Sequence, residues 1–169
     1  MKHKLIKAYM DTAKVFAELS QARRLHVGAI VVKDDRIISI GYNGMPAGWD
    51  NNCENREYMS GDNWDSQLYP FEEEETHVDA DEGFFRTTRR YRLKTKPEVL
   101  HAETNAIAKL AKSTESGLGA SMFITHAPCL DCAKLIYQSG INTVYYREAY
   151  RDNSGVEFLK NSGVVVTQS

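Results

Sequence analysis

The chain has 169 residues, of which 42% are hydrophobic, and this size and composition are typical of one globular domain. Lys and Arg number 21 against 23 Asp and Glu, so the formal net charge of −2 lacks the basic excess of a general nucleic-acid binder. No stretch approaches the roughly 18 apolar residues of a membrane span, and the start lacks the apolar core of a signal peptide, which predicts a cytoplasmic protein without membrane partners.

The first part of the chain predicts a helix followed by a β-hairpin. Between residues 2 and 19, Leu5, Tyr9, Phe16 and other apolar side chains recur at helical spacing. Residues 27–32 are apolar and rich in β-branched side chains, Asp34-Asp35 indicates a turn, and residues 36–40 predict a second strand.

Residues 44–97 interrupt this regularity and predict an irregular insertion of loops and short helices within a single domain spanning 1–169. The segment contains three of the four prolines and several glycines, and it shows no clear periodicity. Insertions of this kind are often functional or mobile. We interpret the acidic run from Glu72 to Glu75 as a solvated face.

Regular structure returns at His101. Helices are predicted at residues 101–112, 129–138 and 156–161, and strands at residues 121–125, 142–146 and 164–167. A helix, a hairpin and then alternating helices and strands together predict an α/β fold, with a mixed sheet covered by helices on both faces.

Two short motifs carry the chemistry. His101-Ala102-Glu103 and Pro128-Cys129-Leu130-Asp131-Cys132 form the H-x-E and P-C-x-x-C pair that marks zinc-dependent base deaminases. One imidazole and two thiolates would leave the fourth tetrahedral position of Zn²⁺ to water, as in a catalytic site. Prolines shortly before both groups predict helix starts, where the helix dipole helps cysteines to bind as thiolates.

Glu103 is the predicted proton shuttle of this site. Two thiolates cancel the charge of Zn²⁺, so the metal should acidify its water less than an all-histidine site would. In the resulting hypothesis, a zinc-activated water attacks C4 of cytosine, and Glu103 protonates N3 and then assists the departure of ammonia. Taken alone, Cys129 and Cys132 also fit a redox pair, or half of a structural zinc site completed by Cys53 and a histidine.

With these motifs the chain resembles the cytidine deaminase superfamily and, within it, the deoxycytidylate (dCMP) deaminases. Free-nucleoside cytidine deaminases generally have Cys where this chain has His101, and transfer-RNA adenosine deaminases resemble it less between Gly41 and Pro46. Three blocks carry the resemblance: Val27-Gly28-Ala29 with Gly41-Tyr42-Asn43-Gly44-Met45-Pro46, His101-Ala102-Glu103-Thr104-Asn105-Ala106-Ile107, and Pro128-Cys129-Leu130-Asp131-Cys132-Ala133-Lys134-Leu135-Ile136 followed by Gly140-Ile141.

The resemblance implies a cytidine deaminase-like three-layer α/β/α fold with a mixed sheet of about five strands, and zinc-dependent hydrolysis of dCMP to dUMP and ammonia. Asn43 is expected near the deoxyribose and Glu103 at the base. Arg23 and Arg24 are candidate phosphate contacts. The expected substrate site comprises Asn43, Ala102, Glu103, Arg24 and Tyr150.

The resemblance also implies regulation, with dCTP as activator and dTTP as inhibitor. Mg²⁺ would accompany the effector's triphosphate, and a homo-oligomer, a hexamer in many relatives, is expected. The effector site is expected near Gly41, Tyr42, Asn43, Gly44 and Arg23, because a glycine-containing turn lets phosphates approach the backbone closely.

Some relatives are similar in carrying a second, structural zinc in the insertion, for which Cys53, His77 and Glu98 are available. Residues 20–24 lack the cysteine that would complete such a site, so we predict that Cys53 is a buried or loop thiol. We likewise expect His126 to be structural or exposed.

Two other functions stay open. The first is an editing deaminase of RNA or single-stranded DNA, which would use aromatic and basic side chains of the insertion, although the acidic residues 72–82 argue against it. These side chains are Tyr58, Trp64, Tyr69, Phe71, Phe84, Phe85, Arg86, Arg89, Arg90, Tyr91 and Arg92. The second is a non-catalytic zinc-binding nucleotide sensor, against which the presence of Glu103 argues.

Overall fold

The computed structural model describes residues 1–58, 72–80 and 83–169, and for residues 76–80 and 83–87 it describes the backbone alone. Four helices and eight strands cover these residues. In chain order they are α1 (His3–Ala17), β1 (Gly28–Lys33), β2 (Arg36–Tyr42), β3 (Glu54–Tyr58), β4 (Glu72–Ala80), β5 (Gly83–Thr95), α2 (Ala102–Ala111), β6 (Ser121–His126), α3 (Leu130–Gln138), β7 (Thr143–Glu148), α4 (Ser154–Asn161) and β8 (Val165–Gln168).

A five-stranded mixed sheet has the order β2-β1-β6-β7-β8. Strand β1 is antiparallel to both β2 and β6, whereas β6, β7 and β8 run parallel to one another. The hairpin between β1 and β2 turns at Asp34 and Asp35, whose φ angles of 50° and 57° are those of a type I′ turn, and aspartate tolerates this left-handed conformation.

Alternating side chains of the sheet bury its two faces against different helices. Ile30 and Val32 of β1 pack in a cluster with Met10 and Ala13 of α1. The alternate residues of β1, Ala29 and Val31, point to the other face and belong to a second, larger apolar cluster with residues of α2, α3 and α4. The predicted three-layer α/β/α fold with a mixed five-stranded sheet is confirmed.

The prediction of loops and short helices in the insertion is wrong for residues 54–58, 72–80 and 83–95. These residues form a second, antiparallel sheet of order β3-β5-β4. Charge pairs across the strands replace the apolar alternation that would have indicated strands. Glu73 lies opposite Arg90 and forms an ion pair with it, and Glu57 forms an ion pair with Arg92.

The acidic run is therefore partnered as well as solvated, since Glu72 pairs with Arg23 and Glu74 with Arg56. Predictions that fall on residues 59–71 and 81–82, including an aromatic surface at Trp64 and Tyr69, lie outside the described residues. Over the ranges that the structure describes, no helix has the length and apolar character to span a membrane.

Candidate active site

The candidate site lies at one edge of the central sheet, where β2 and β6 end and β1 begins. The backbone N–H of Gly28 donates to the Thr125 hydroxyl at 3.1 Å, which ties the start of β1 to the end of β6. The Asn43 side chain, just after β2, accepts from the N–H of Val27 and donates to the carbonyl of Leu25, both at 2.8 Å. The carboxyl ends of strands in α/β sheets commonly form ligand sites.

Helix α2 is fixed against the end of β2. Gly44 and Leu100 exchange backbone hydrogen bonds of 3.1 and 2.9 Å, so the residue before His101 is held beside the strand end. A Cβ atom at Gly41 would lie 2.0 Å from the carbonyl oxygen of Ala102, so only glycine permits this approach of helix and strand. This contact places His101 as the N-cap residue of α2.

Helix α3, which follows β6, also begins at a motif residue. Cys129 is its N-cap residue and Cys132 is its third helical residue. The start of α4 packs against this turn, since a Cβ atom at Gly155 would lie 2.1 Å from the carbonyl oxygen of Pro128. As predicted, both motif segments stand at helix starts.

His101, Cys129 and Cys132 come together as a group that fits Zn²⁺. Their ligand atoms lie within 4.8 Å of one another, and among the described residues this is the one group of three such side chains. The Nδ1 atom of His101 lies 3.6 Å from the Cys129 sulfur and 3.3 Å from the Cys132 sulfur. Tetrahedral Zn²⁺, with bonds of about 2.0–2.3 Å to nitrogen and sulfur, requires separations of about 3.5 Å.

Hydrogen bonds couple the protonation of the three side chains. Hydrogen bonds from Cys132 and His101 lower the pKa of the Cys129 thiol to about 4, which favours a thiolate. The same hydrogen bond to Cys129 holds the Cys132 proton and raises its pKa. The bond with Cys129 also raises the pKa of His101.

Glu103 follows His101 by two positions in the sequence and is 4% exposed. Burial raises the pKa of its carboxyl to about 7. A carboxyl with this pKa is present in both protonated and ionised forms at neutral pH, which is the property required of a proton shuttle.

Glu103 and two members of the metal group, His101 and Cys129, line one cavity of about 280 Å³. Arg24, Asn43 and Tyr150, three of the residues predicted to contact substrate, also line it. The full lining is Ala22, Arg24, Leu25, Val27, Asn43, Glu54, Thr95, Val99, His101, Glu103, His126, Ala127, Cys129 and Tyr150.

The other predicted site residues lie outside this lining. Ala102 is fully buried under Gly41, so both have a packing role. Arg23 forms an ion pair with Glu72, and the Lys109 ammonium lies 5.6 Å from the centre of the Tyr42 ring. The expected effector region stays a prediction. It comprises Gly41, Tyr42, Gly44 and Arg23.

Sequence reasoning missed three polar residues of the cavity: Glu54, Thr95 and His126. Burial lowers the pKa of His126, which favours a neutral imidazole, and its Nδ1 lies 3.1 Å from the Thr125 hydroxyl. The sequence did carry a signal for His126, because this residue ends the strand that leads into Cys129. It carried no such signal for Glu54 and Thr95, which belong to the insertion. Cys53 is buried with Ala22 and Val99, as predicted.

Comparison with known proteins identifies the class of site. A family model described as the zinc-binding region of cytidine and deoxycytidylate deaminases matches residues 3–148. The deoxycytidylate deaminase of Enterobacteria phage T4 is 34% identical over 168 residues, which cover 93% of this chain and 86% of that protein. The crystal structure of dCMP deaminase from cyanophage S-TIM5 in complex with dCMP and dUMP is 38% identical, with a TM-score of 0.75, and covers 100% of this chain and 99% of that one.

A solved transfer-RNA A34 deaminase is 21% identical, with a TM-score of 0.54 over 96% of this chain and 92% of that one, and it shares the fold alone. The fold, the motifs and the closer relatives define a hydrolytic deaminase. The chain belongs to the cytidine and deoxycytidylate deaminase family.

Proposed function

We propose that this chain hydrolyses dCMP to dUMP and ammonia at a zinc centre held by His101, Cys129 and Cys132. The observation that carries the proposal is the grouping of these three ligand atoms, within 4.8 Å of one another, at a cavity lined by His101, Cys129 and the buried Glu103. The phage T4 and cyanophage S-TIM5 relatives are named for the same reaction.

The bound metal and Glu103 would have different roles in the reaction. Bound Zn²⁺ would supply the Lewis acidity that lets water attack at neutral pH. Glu103 takes a proton from the attacking water, delivers it to N3 of cytosine, and later assists the departure of the amino group as ammonia. Burial favours the protonated form of this carboxyl, which suits a group that must hold the proton between the two steps.

Arg24, Asn43 and Tyr150 line the cavity, and we assign them to the nucleotide. The guanidinium of Arg24 donates to the Thr95 hydroxyl at 3.0 Å. A guanidinium carries five N–H donors, so this bond leaves capacity for a phosphate. The Asn43 amide, held by Val27 and Leu25, would lie near the deoxyribose.

The editing reading has weaker support. Arg90 and Arg92 of β5, which would have lined a polynucleotide path, are paired with Glu73 and Glu57. Neighbouring carboxylates would repel a polyanion. The nucleotide-sensor reading gives no account of a buried Glu103 beside the metal group.

A substrate panel tests the proposal. Purified protein is supplied with dCMP, deoxycytidine, dCTP and a cytosine-containing oligonucleotide, and ammonia and uracil products are measured together with bound zinc. We expect turnover of dCMP far above that of the other three compounds. Turnover of the oligonucleotide without turnover of dCMP would contradict it, and nucleotide binding without ammonia release would favour the sensor.

The proposal extends to regulation and assembly. Activation by dCTP with Mg²⁺ and inhibition by dTTP would act through the turn containing Gly41, Tyr42, Asn43 and Gly44, with Arg23 nearby, in a homo-oligomer, a hexamer by resemblance. Initial rates at low dCMP concentration with each effector, and light scattering for the mass, test this part separately. Effector-independent rates or a monomeric mass would contradict it without affecting the catalytic proposal.

A further inference from the structure

Glu54, the first residue of β3, is a buried carboxylate in the wall of the cavity. It is 5% exposed. Its Oε1 atom accepts the backbone N–H groups of Arg23 and Arg24 at 3.0 and 3.2 Å. Its Oε2 atom is buried and has no hydrogen-bond partner among the described residues.

An unpartnered carboxylate oxygen is costly to bury, and such oxygens in proteins almost always accept a hydrogen bond. The Arg24 guanidinium does not supply this donor: it donates to Thr95, which lies opposite Glu54 in the β3–β5 register, and makes no hydrogen bond to Glu54 Oε2. Glu54 therefore combines one oxygen that fixes the backbone of residues 23 and 24 with a second oxygen that requires a donor.

The chemistry of the proposed substrate identifies this donor. With its phosphate ionised, dCMP has two hydrogen-bond donors, the 4-amino group of cytosine and the 3′-hydroxyl of deoxyribose. The amino group is the leaving group and must lie at Glu103 and the metal site. The 3′-hydroxyl is then the one donor left for another part of the cavity.

We propose that Glu54 Oε2 accepts a hydrogen bond from the 3′-hydroxyl of the substrate, which makes Glu54 a specificity-determining residue for mononucleotides with a free 3′-hydroxyl. The inference rests on the proposed function and deepens it. A nucleotide inside a strand carries a phosphodiester at its 3′-oxygen, and this group has no proton to donate and a charge that the carboxylate repels.

The wild-type protein alone gives the first test. The value of kcat/KM is measured for dCMP, for 2′,3′-dideoxycytidine 5′-monophosphate and for deoxycytidine 3′,5′-bisphosphate. Hydrogen bonds to charged groups are worth enough to predict a loss of about tenfold to a hundredfold for the dideoxy compound. A larger loss is expected for the bisphosphate.

The Glu54→Gln variant separates recognition from structure. An amide oxygen still accepts from Arg23 and Arg24, and the amide nitrogen then faces the substrate as a neutral donor. We expect kcat/KM for dCMP to fall, the dideoxy penalty to shrink to about threefold or less, and the bisphosphate to become a better substrate relative to dCMP. Glu57→Gln, on the same strand but outside the cavity lining, is the matched control and should keep the wild-type ratios.

Three outcomes overturn the inference while leaving dCMP deamination intact. These are equal kcat/KM for dCMP and the dideoxy compound in the wild-type protein, an equal loss for both substrates in Glu54→Gln, and unchanged discrimination against the bisphosphate in that variant. An equal loss would show that Glu54 acts through the backbone of residues 23 and 24 alone. Absence of wild-type dCMP turnover would instead reject the proposed function itself.

Discussion

Burial gives Glu103 the acid–base behaviour that its proposed role as a proton shuttle requires. An exposed carboxylate is ionised at neutral pH and cannot donate a proton, whereas burial holds the pKa of Glu103 at about 7. Its proposed role was predictable because the signal is local: Glu103 stands two positions after His101 in the H-x-E motif. Glu54 and Thr95 were not, because their place in the cavity depends on β3 and β5, which pair over a long sequence separation.

Replacement of Glu103 by glutamine tests the shuttle. The isosteric amide cannot transfer the proton, so we expect kcat to fall by about 10²–10⁴ while zinc content stays near one ion per chain. Ammonia release and metal analysis of the same preparation measure both. A variant that retains zinc and turns over near the wild-type rate would rule out the role, and one that loses zinc would indicate a structural function.

The raised pKa of Glu103 also makes the stability of the metal-free protein depend on pH. The unfolded carboxyl titrates near 4.5 and the folded one near 7, so the folded state favours the protonated form. This contribution is fully present below pH 4.5 and is lost as the pH rises through 7.

Metal-free Glu103→Gln should therefore be more stable than the metal-free wild-type protein at pH 8, by up to about 3 kcal/mol. At pH 5 the difference should shrink to about 1 kcal/mol or less. Denaturant unfolding of both metal-free proteins at the two pH values measures this. A difference that is the same at pH 5 and pH 8 would contradict the raised pKa.

At the scale of elements, the central sheet was predictable and the second sheet was not. Strands such as β1 are continuous apolar runs, and that pattern follows from burial on both faces. Strands β3, β4 and β5 are rich in charged side chains that find partners only when the strands pair, as Glu57 does with Arg92 and Lys94. A single-strand pattern cannot reveal such partners.

The packing of α4 on the turn before α3 gives a prediction at this scale. Gly155→Ala places a methyl group within 2.1 Å of the Pro128 carbonyl oxygen, which should displace the turn that carries Cys129. We expect a loss of stability of about 1–3 kcal/mol and weaker zinc retention against a competing chelator. Lys160→Ala, an exposed change on the same helix, is the control. Unchanged zinc retention in Gly155→Ala would show that α4 does not position the ligand.

At the scale of the whole molecule, the metal group joins parts of the chain that are distant in sequence. His101 begins α2 and the two cysteines begin α3, with β6 between them. An ion shared by these residues binds the folded chain and has no preformed site in the unfolded one. Metal binding and folding are therefore coupled.

Removal of zinc should lower the thermal unfolding midpoint. Binding at a thousandfold excess over Kd adds about 4 kcal/mol to folding stability. Differential scanning calorimetry with and without a strong chelator measures the shift, and Cys129→Ser, which lacks a ligand, should respond much less. An unchanged midpoint in wild-type protein whose zinc has been removed would contradict the coupling.

The charge pairs of the β3-β5-β4 sheet have a consequence for solution conditions. Dissolved ions weaken pairs between exposed side chains, such as Arg90 with Glu73, most strongly at high salt, where the screening length falls from about 8 Å at physiological ionic strength to about 3 Å. Glu54 and Thr95, both in the cavity wall, are the opposed residues at one end of this sheet. High ionic strength is therefore expected to loosen this part of the cavity wall and to weaken the attraction that we propose between Arg24 and a phosphate.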